Sequence, residues 1–208
     1  MGEVAAANHE LDAIAQALSR HGRLEIPLGV YLPAAVALPL VSGPGGLAVL
    51  FTVRTAHVEQ HKGEISFPGG RVDAEDADTL AAALRETWEE VGVRPEDLKV
   101  LGALDDFVSV TGYRVTPYVV HLERADYPFV AAPMEVAEIL LVPLTHVLDP
   151  SNYYAIRAGE NRTIHHFRWG PYLIWGLTAA VLKHFLELSF GFTALPPLRG
   201  GGGVGARP

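Results

Sequence analysis

Three glutamates of this chain, Glu86, Glu89 and Glu90, recur at i, i+3 and i+4. On a helix turning about 100° per residue that spacing sets all three carboxylates on one face. Gathering three anions costs electrostatic energy unless a cation sits among them. Hard oxygen donors suit Mg²⁺ or Mn²⁺, ions that keep part of their water and bind phosphate. Most acidic helix faces are merely solvated, so the context decides. Here Gly69-Gly70 turns into a short acidic stretch, Arg85 adjoins Glu86, and Gly92 stands where a left-handed helix stop belongs. The pattern points to a divalent cation held against a phosphate.

The helix that must carry these acids spans about residues 79–91, with Leu80, Leu84, Trp88 and Val91 expected on its buried side. Leu11, Ile14, Ala15 and Leu18 predict an amphipathic helix that ends near Gly22. Residues 34–41 and 46–54 read as a strand pair around Ser42-Gly43-Pro44-Gly45, and Ile65 and Phe67 lead as a short strand into the Gly-Gly loop. Further strands are expected over 100–110 and 113–122, paired about Thr111-Gly112, and over 136–143 and 163–169. Pro171 opens a last helix with Ile174, Leu177, Val181, Phe185 and Leu188 on one stripe. Alternating elements of this kind predict an α/β fold with helices on both sides of a mixed sheet. One domain over residues 1–195 is expected, with a Gly- and Pro-rich tail over 196–208 that lacks order.

The segment from Arg85 to Val93 resembles the Nudix box, G-x5-E-x7-R-E-U-x-E-E-x-G-U, where U is bulky and apolar. Arg85-Glu86-Thr87-Trp88-Glu89-Glu90-Val91-Gly92-Val93 matches its second half, with Thr87 at a U position. Strict register puts the front Gly and Glu on Arg71 and Ala77, so the interval from Gly70 is one residue long, and Asp76 and Asp78 are the acids available to replace the Glu. That extension is similar to the coenzyme A diphosphatase branch, as is the upstream run Leu50-Phe51-Thr52-Val53-Arg54-Thr55, Glu59, Gly63 and Phe67-Pro68-Gly69-Gly70. Every interval of that second motif agrees; Thr55 replaces a Ser, and Glu59 replaces an Arg with reversal of charge. Fainter echoes are Glu135-Val136 with Val142-Pro143-Leu144, and Ile174-Trp175-Gly176-Leu177-Thr178, so the likeness spans most of residues 34–182.

The resemblance implies a Nudix α/β/α sandwich and a Mg²⁺- or Mn²⁺-dependent hydrolase that cuts a diphosphate by attack of water on phosphorus. It implies Glu86, Glu89 and Glu90 as metal ligands, Glu90 the most direct, with the Gly69 carbonyl as a further oxygen. Arg85 is expected to orient a glutamate through a two-pronged pair. The general base is Glu86 or a glutamate from a distant loop, where Glu135 is preferred and Glu138 is second. Arg54, Lys62 and Arg71 are the cations available to replace the lost Arg at phosphate, and Gly70 completes an anion cradle. Coenzyme A, split into 4′-phosphopantetheine and adenosine 3′,5′-bisphosphate, is the expected substrate. The charge reversal at Glu59 leaves ADP-ribose or a dinucleotide open, and a nucleotide-sensing module without turnover stands as a third reading.

Composition narrows the partners. A net charge of −8 argues against nucleic acid and anionic membrane surfaces. The absence of cysteine excludes disulfides, a thiol nucleophile and thiolate-bound metal. No basic, then apolar, leader is visible, and the most apolar run, residues 30–41, is short and holds Pro33 and Pro39, so a cytoplasmic location is expected, with a homodimer left open. Nine histidines without HExxH spacing give no expectation of zinc; His57 and His61 flank the upstream motif, and His165-His166 read as structural. Tyr113, Tyr153, Tyr154 and Trp175 are candidates to stack on adenine, against a commoner role in packing.

Overall fold

The computed structural model describes residues 2–55, 63–124, 126–159 and 162–193, with only the main chain for residues 2–7. His57, Glu59, His61 and Lys62, and the tail from Pro196, lie outside the described residues.

Strand β1 (Leu32–Gly43) organises the sheet. It runs parallel to β7 (Tyr113–Leu122) along the whole of β7, from Leu32 opposite Tyr113 to Val41 opposite Leu122. On its other edge it changes partner. Leu40 to Gly43 pair with β2 (Gly46–Arg54), whereas Ala34 to Val36 pair with β4 (Gly69–Arg71). β2 continues past that fork and pairs with β3 (Ile65–Ser66) and β8 (Val136–Pro143). Beyond β7 lie β5 (Leu98–Ala103) and β6 (Phe107–Val108), so eight strands form one mixed sheet among the described residues. The fork between β2 and β4 is where the Gly-Gly segment reaches the sheet.

Helices cover both faces, as the sandwich reading requires. Period-2 alternation along β1 sends Leu38 and Leu40 into one core with Ile14 and Leu18 of α1 (Gly2–Arg20) and Leu182 and Phe185 of α4 (Gly176–Phe190). Ala35, Ala37 and Val41 face the other core, shared with Ala82, Ala83 and Val91 of α2 (Thr79–Val91). Alanines on both surfaces let α2 lie close against β1, because no long side chain holds them apart. After the short α3 (Leu144–Leu148), β9 (Tyr153–Arg157), β10 (Thr163–Trp169) and β11 (Tyr172–Trp175) form a separate antiparallel sheet.

Several expectations change. The helix expected from Pro171 is first a strand, β11, and α4 begins only at Gly176; Ile174 therefore joins the core from a strand. The strand expected over 100–110 breaks at Leu104-Asp105-Asp106, where Asp105 accepts the Leu24 N–H and Asp106 accepts from Arg23 and the Ile26 N–H outside the sheet as well as from Thr116 of β7. The Gly-Gly loop is itself a strand. Last, α2 is rotated from the expected orientation: Val91 is buried as expected, Leu80 and Leu84 are half-buried, and Trp88 is outside. Its buried residues are Ala82, Ala83, Thr87, Glu90 and Val91, while Trp88 is 55 % exposed. Thr87 fits that buried face because its hydroxyl donates to the Ala83 carbonyl at 2.7 Å and leaves no unmet donor.

Candidate active site

Helix α2 is fixed at both ends. The Asp78 carboxylate accepts the Ala81 N–H at 2.8 Å as an N-cap, and Gly92 at φ 74° closes the helix with its N–H on the Trp88 carbonyl at 2.9 Å. The acid that partners Arg85 is therefore Asp76, not Asp78. Nε and one terminal nitrogen of Arg85 fork onto the two Asp76 oxygens at 3.0 and 2.9 Å. The two-pronged pair expected with a glutamate is made with this aspartate instead, because the acidic loop brings Asp76 alongside the guanidinium. The remaining terminal nitrogen touches one oxygen each of Glu86, at 3.1 Å, and Glu89, at 2.8 Å. That hydrogen bond from Arg85 is the main reason Asp76 titrates below the usual carboxylate range.

The three glutamates divide. Glu89 is on the outer side of the helix, 54 % exposed and held by Arg85. Glu86 and Glu90 point inward to the Gly-Gly strand, and Glu90 is only 4 % exposed. One Glu90 oxygen is buried without any hydrogen-bond partner among the described residues. Burial, then the nearby Glu86 charge, pushes the Glu90 carboxyl up to about 8, against the opposing pull of Arg54 and the Gly69 N–H. Burial likewise raises Glu86, opposed by Arg85 and helped by the charges of Glu89 and Glu135. A buried carboxylate with an unmet oxygen beside a half-buried one that repels it forms an arrangement that a hard divalent cation would relieve. The donor set fits Mg²⁺ or Mn²⁺.

Gly69 and Gly70 are glycines for steric reasons. A Cβ on Gly70 would overlap the Glu86 carboxylate, with the carboxyl carbon at 2.6 Å, and one on Gly69 would meet Val36 Cα at 2.6 Å. Only a bare backbone lets β4 lie between β1 and α2. The Gly69 main chain meets Glu90 through its N–H.

Glu135 arrives from the segment before β8. Val130 and Ala132 donate their N–H groups to the last free carbonyls of α2, Val91 at 3.0 Å and Glu90 at 2.9 Å. Thr55 then secures the segment to the end of β2, its N–H on the Glu135 carbonyl at 2.9 Å and its hydroxyl on Met134 at 3.0 Å. The Glu135 carboxylate acts electrostatically on both Glu86 and Glu90. Glu138 does not join them: it accepts the Tyr172 hydroxyl at 2.7 Å on the far side of β8.

The cations also divide. Arg54 ends β2 facing Glu90, with its Nε buried and without a hydrogen-bond partner among the described residues. Arg71 lies over the Tyr113 ring at 5.2 Å, and its carbonyl accepts from Arg85 at 3.1 Å. Of the other aromatic candidates, Tyr153 is core, Tyr154 stacks on His166 at 4.4 Å, and Trp175 is partly exposed. His165 is structural, bonded to the Tyr153 hydroxyl at 2.7 Å. A cleft of about 860 Å³ adjoins α2 but lies past its outer face, lined by Trp88, Glu89, Arg94, Arg124 and Tyr127 and by neither Glu86 nor Glu90. It is not where the acids converge.

Sequence reasoning missed one cluster, His21, Asp105 and His184. Its members are scattered along the chain, and the sole hint was a pair of acids, Asp105-Asp106, interrupting an apolar strand.

The NUDIX domain family matches residues 31–164. The chain is 39 % identical over 163 residues to an uncharacterized Nudix hydrolase NudL of Shigella flexneri, covering 77 % of this chain and 83 % of that one. The Escherichia coli (strain SMS-3-5 / SECEC) protein of the same name is 38 % identical over 161 residues, covering 76 % and 82 %. Among solved structures, the Mycobacterium smegmatis Nudix hydrolase RenU aligns at 26 % identity and TM-score 0.48, over 57 % of this chain and 74 % of that one. A C. elegans Ap4A hydrolase binary complex aligns at 21 % and 0.47, over 54 % and 80 %. Superpositions this loose add nothing to the family match and the sequence relatives. On those, the chain belongs to the Nudix family and is a Nudix hydrolase.

Proposed function

We propose that this hydrolase cleaves the diphosphate of coenzyme A, yielding 4′-phosphopantetheine and adenosine 3′,5′-bisphosphate, with Mg²⁺ or Mn²⁺ held by Glu86, Glu89 and Glu90 and by the Gly69 carbonyl. The observation that carries the metal reading is the buried, unpartnered oxygen of Glu90 beside Glu86. When bound, such an ion lowers the pKa of water and neutralises charge on the phosphates. Glu135 takes the proton of the attacking water; its place opposite Glu86 and Glu90, secured by Thr55, supports it over Glu138. Arg85, locked by Asp76, positions Glu86 and Glu89. Arg54 and Arg71 offer positive charge to the substrate phosphates, with the Gly70 backbone beside them.

The preserved spacing of the upstream motif supports coenzyme A. Glu59, where that motif has Arg, favours a second reading, ADP-ribose or another nucleoside diphosphate derivative. Incubation with Mg²⁺ or Mn²⁺ and coenzyme A, ADP-ribose or NADH, with products resolved by chromatography, separates the readings. Release of adenosine 3′,5′-bisphosphate from coenzyme A is expected. Turnover of ADP-ribose alone would retire the coenzyme A assignment, and nucleotide binding without turnover would indicate a sensor.

A further inference from the structure

We propose that His21, Asp105 and His184 form a second cation site, for a borderline divalent ion such as Zn²⁺, apart from the glutamates and independent of the substrate reading. The residues come from three elements: His21 just past α1, Asp105 between β5 and β6, and His184 within α4. Asp105 stands between the imidazoles. One of its oxygens is 2.6 Å from His21 Nε2, the other is 3.3 Å from His184 Nε2, and all three ligand atoms lie within 4.8 Å of one another. Each side chain keeps about a fifth of its surface exposed, 21–22 %, so an ion can enter without unfolding.

An ionic clamp alone leaves one feature unexplained. His184 Nε2 is buried and has no hydrogen-bond partner among the described residues, although Asp105 is 3.3 Å away, because the contact lacks hydrogen-bond geometry. A nitrogen so placed is a ligand without its ion. Both rings direct Nε2 at one carboxylate, and their planes meet edge to face at 5.6 Å, which keeps the imidazoles from blocking one another.

Burial lowers the pKa of His184, with Asp105 and Glu187 opposing and His21 and Lys183 assisting. Burial tends to raise Asp105, but the Leu24 N–H, His21 and His184 outweigh it and hold the group below the usual range. Neutral imidazole and ionised carboxylate are the forms that bind metal.

Two imidazole nitrogens and a carboxylate suit zinc, cobalt or nickel, whereas Mg²⁺ prefers oxygen alone. Ligands at about 2.1 Å around a tetrahedral ion stand about 3.4 Å apart. The Asp105–His184 separation of 3.3 Å already meets that, and a small rotation of the Asp105 carboxyl would open the 2.6 Å contact to His21. Water takes the fourth place. The ion would tie the end of α1 and the middle of α4 to the β5–β6 segment.

The test uses full-length protein carrying Glu86→Gln and Glu90→Gln, stripped with chelator and titrated with Co²⁺ and then Zn²⁺ by calorimetry and visible absorption. One equivalent is expected, with cobalt bands displaced by Zn²⁺ and untouched by millimolar Mg²⁺. Adding His184→Ala or, separately, His21→Asn should weaken uptake at least tenfold with the circular dichroism spectrum unchanged. X-ray absorption at the zinc edge, which needs no substitution at the cluster, should find two imidazoles. No uptake at tenfold molar excess, uptake that both substitutions leave intact, or an all-oxygen shell would overturn the proposal.

Discussion

Burying a carboxylate with one oxygen unpaired is destabilising by about 1–3 kcal/mol, and Glu90 sustains that strain in the metal-free protein. Glu90→Gln keeps the shape and removes the charge. With chelator present, its thermal midpoint is expected to equal or exceed that of the parent, while turnover falls by on the order of 10²–10³-fold. Unchanged turnover would remove Glu90 from the proposed metal site. The proposed base makes a second contrast. Glu135→Gln should lower kcat about 10²-fold or more and flatten the acid limb of its pH profile. Glu138→Gln, altering a residue engaged by Tyr172, should leave kcat within about twofold. At this scale the sequence is legible where chemistry is local: the spacing puts Arg85, Glu86, Glu89 and Glu90 together on α2, but it did not show that Glu89 turns outward while Glu86 and Glu90 turn in. It could not separate Asp76 from Asp78, because either is within reach of Arg85 until the helix start is fixed.

The start of α2 fixes that choice, so the same pair tests the element. Asp78→Ala removes the cap and should cost about 1 kcal/mol by urea denaturation with kcat unchanged. Asp76→Ala should cost roughly 1–3 kcal/mol and also lower kcat, because Arg85 loses its fork and with it the placing of Glu86 and Glu89. Equal kcat in both variants would show that Arg85 does not need Asp76. Gly70→Ala should spare the sheet but displace the Glu86 carboxylate, whereas Gly69→Ala meets immobile β1 backbone and should be the more destabilising. The limits of α2 were read correctly, as were those of β8 and β10, from periodicity and bounding turns. Its orientation was not. Leu84 and Trp88 suggested the centre of a buried stripe by hydropathy, yet Ala35 and Ala37 on the sheet face Ala82 and Ala83, so Leu84 packs only at the margin of that core and Trp88 is left in solvent. Hydropathy ranks residues by water, not by the space opposite them. β4 was hidden for a similar reason, since Gly69-Gly70 has poor strand propensity and pairs only because nothing larger fits.

Across the molecule, His121, His165 and His166 all titrate below the usual imidazole range, each chiefly through burial. Unfolded, they bind protons near pH 6.5. Between the folded and unfolded values the unfolded chain holds more protons, so stability is complete above about pH 6.5 and is lost as pH falls through the folded values. Each such group changes stability by at most about 1.4 kcal/mol per pH unit. Glu90, raised to about 8 by burial, has the opposite sign over this interval, because there the folded chain holds the extra proton. In a Glu90→Gln background the urea midpoint should therefore drop between pH 7.5 and 5.5, and less steeply when His121→Gln is added, where burial next to Ser42 no longer involves an ionisable ring. A midpoint constant over that interval would contradict the account. Long-range juxtaposition is what the sequence withheld: nothing near His21 signals Asp105 or His184, since only the packed α1, α4 and β5–β6 segment bring them together.

Trp88 stands on the same helix as the inward acids, one position from Glu89 and two from both Glu86 and Glu90, with its indole open to solvent. The protein consequently carries its own optical gauge. With Trp169 and Trp175 replaced by phenylalanine, a lone emitter would remain on the lever that ion loading must shift, so occupancy could be followed by fluorescence without dye, label or substrate.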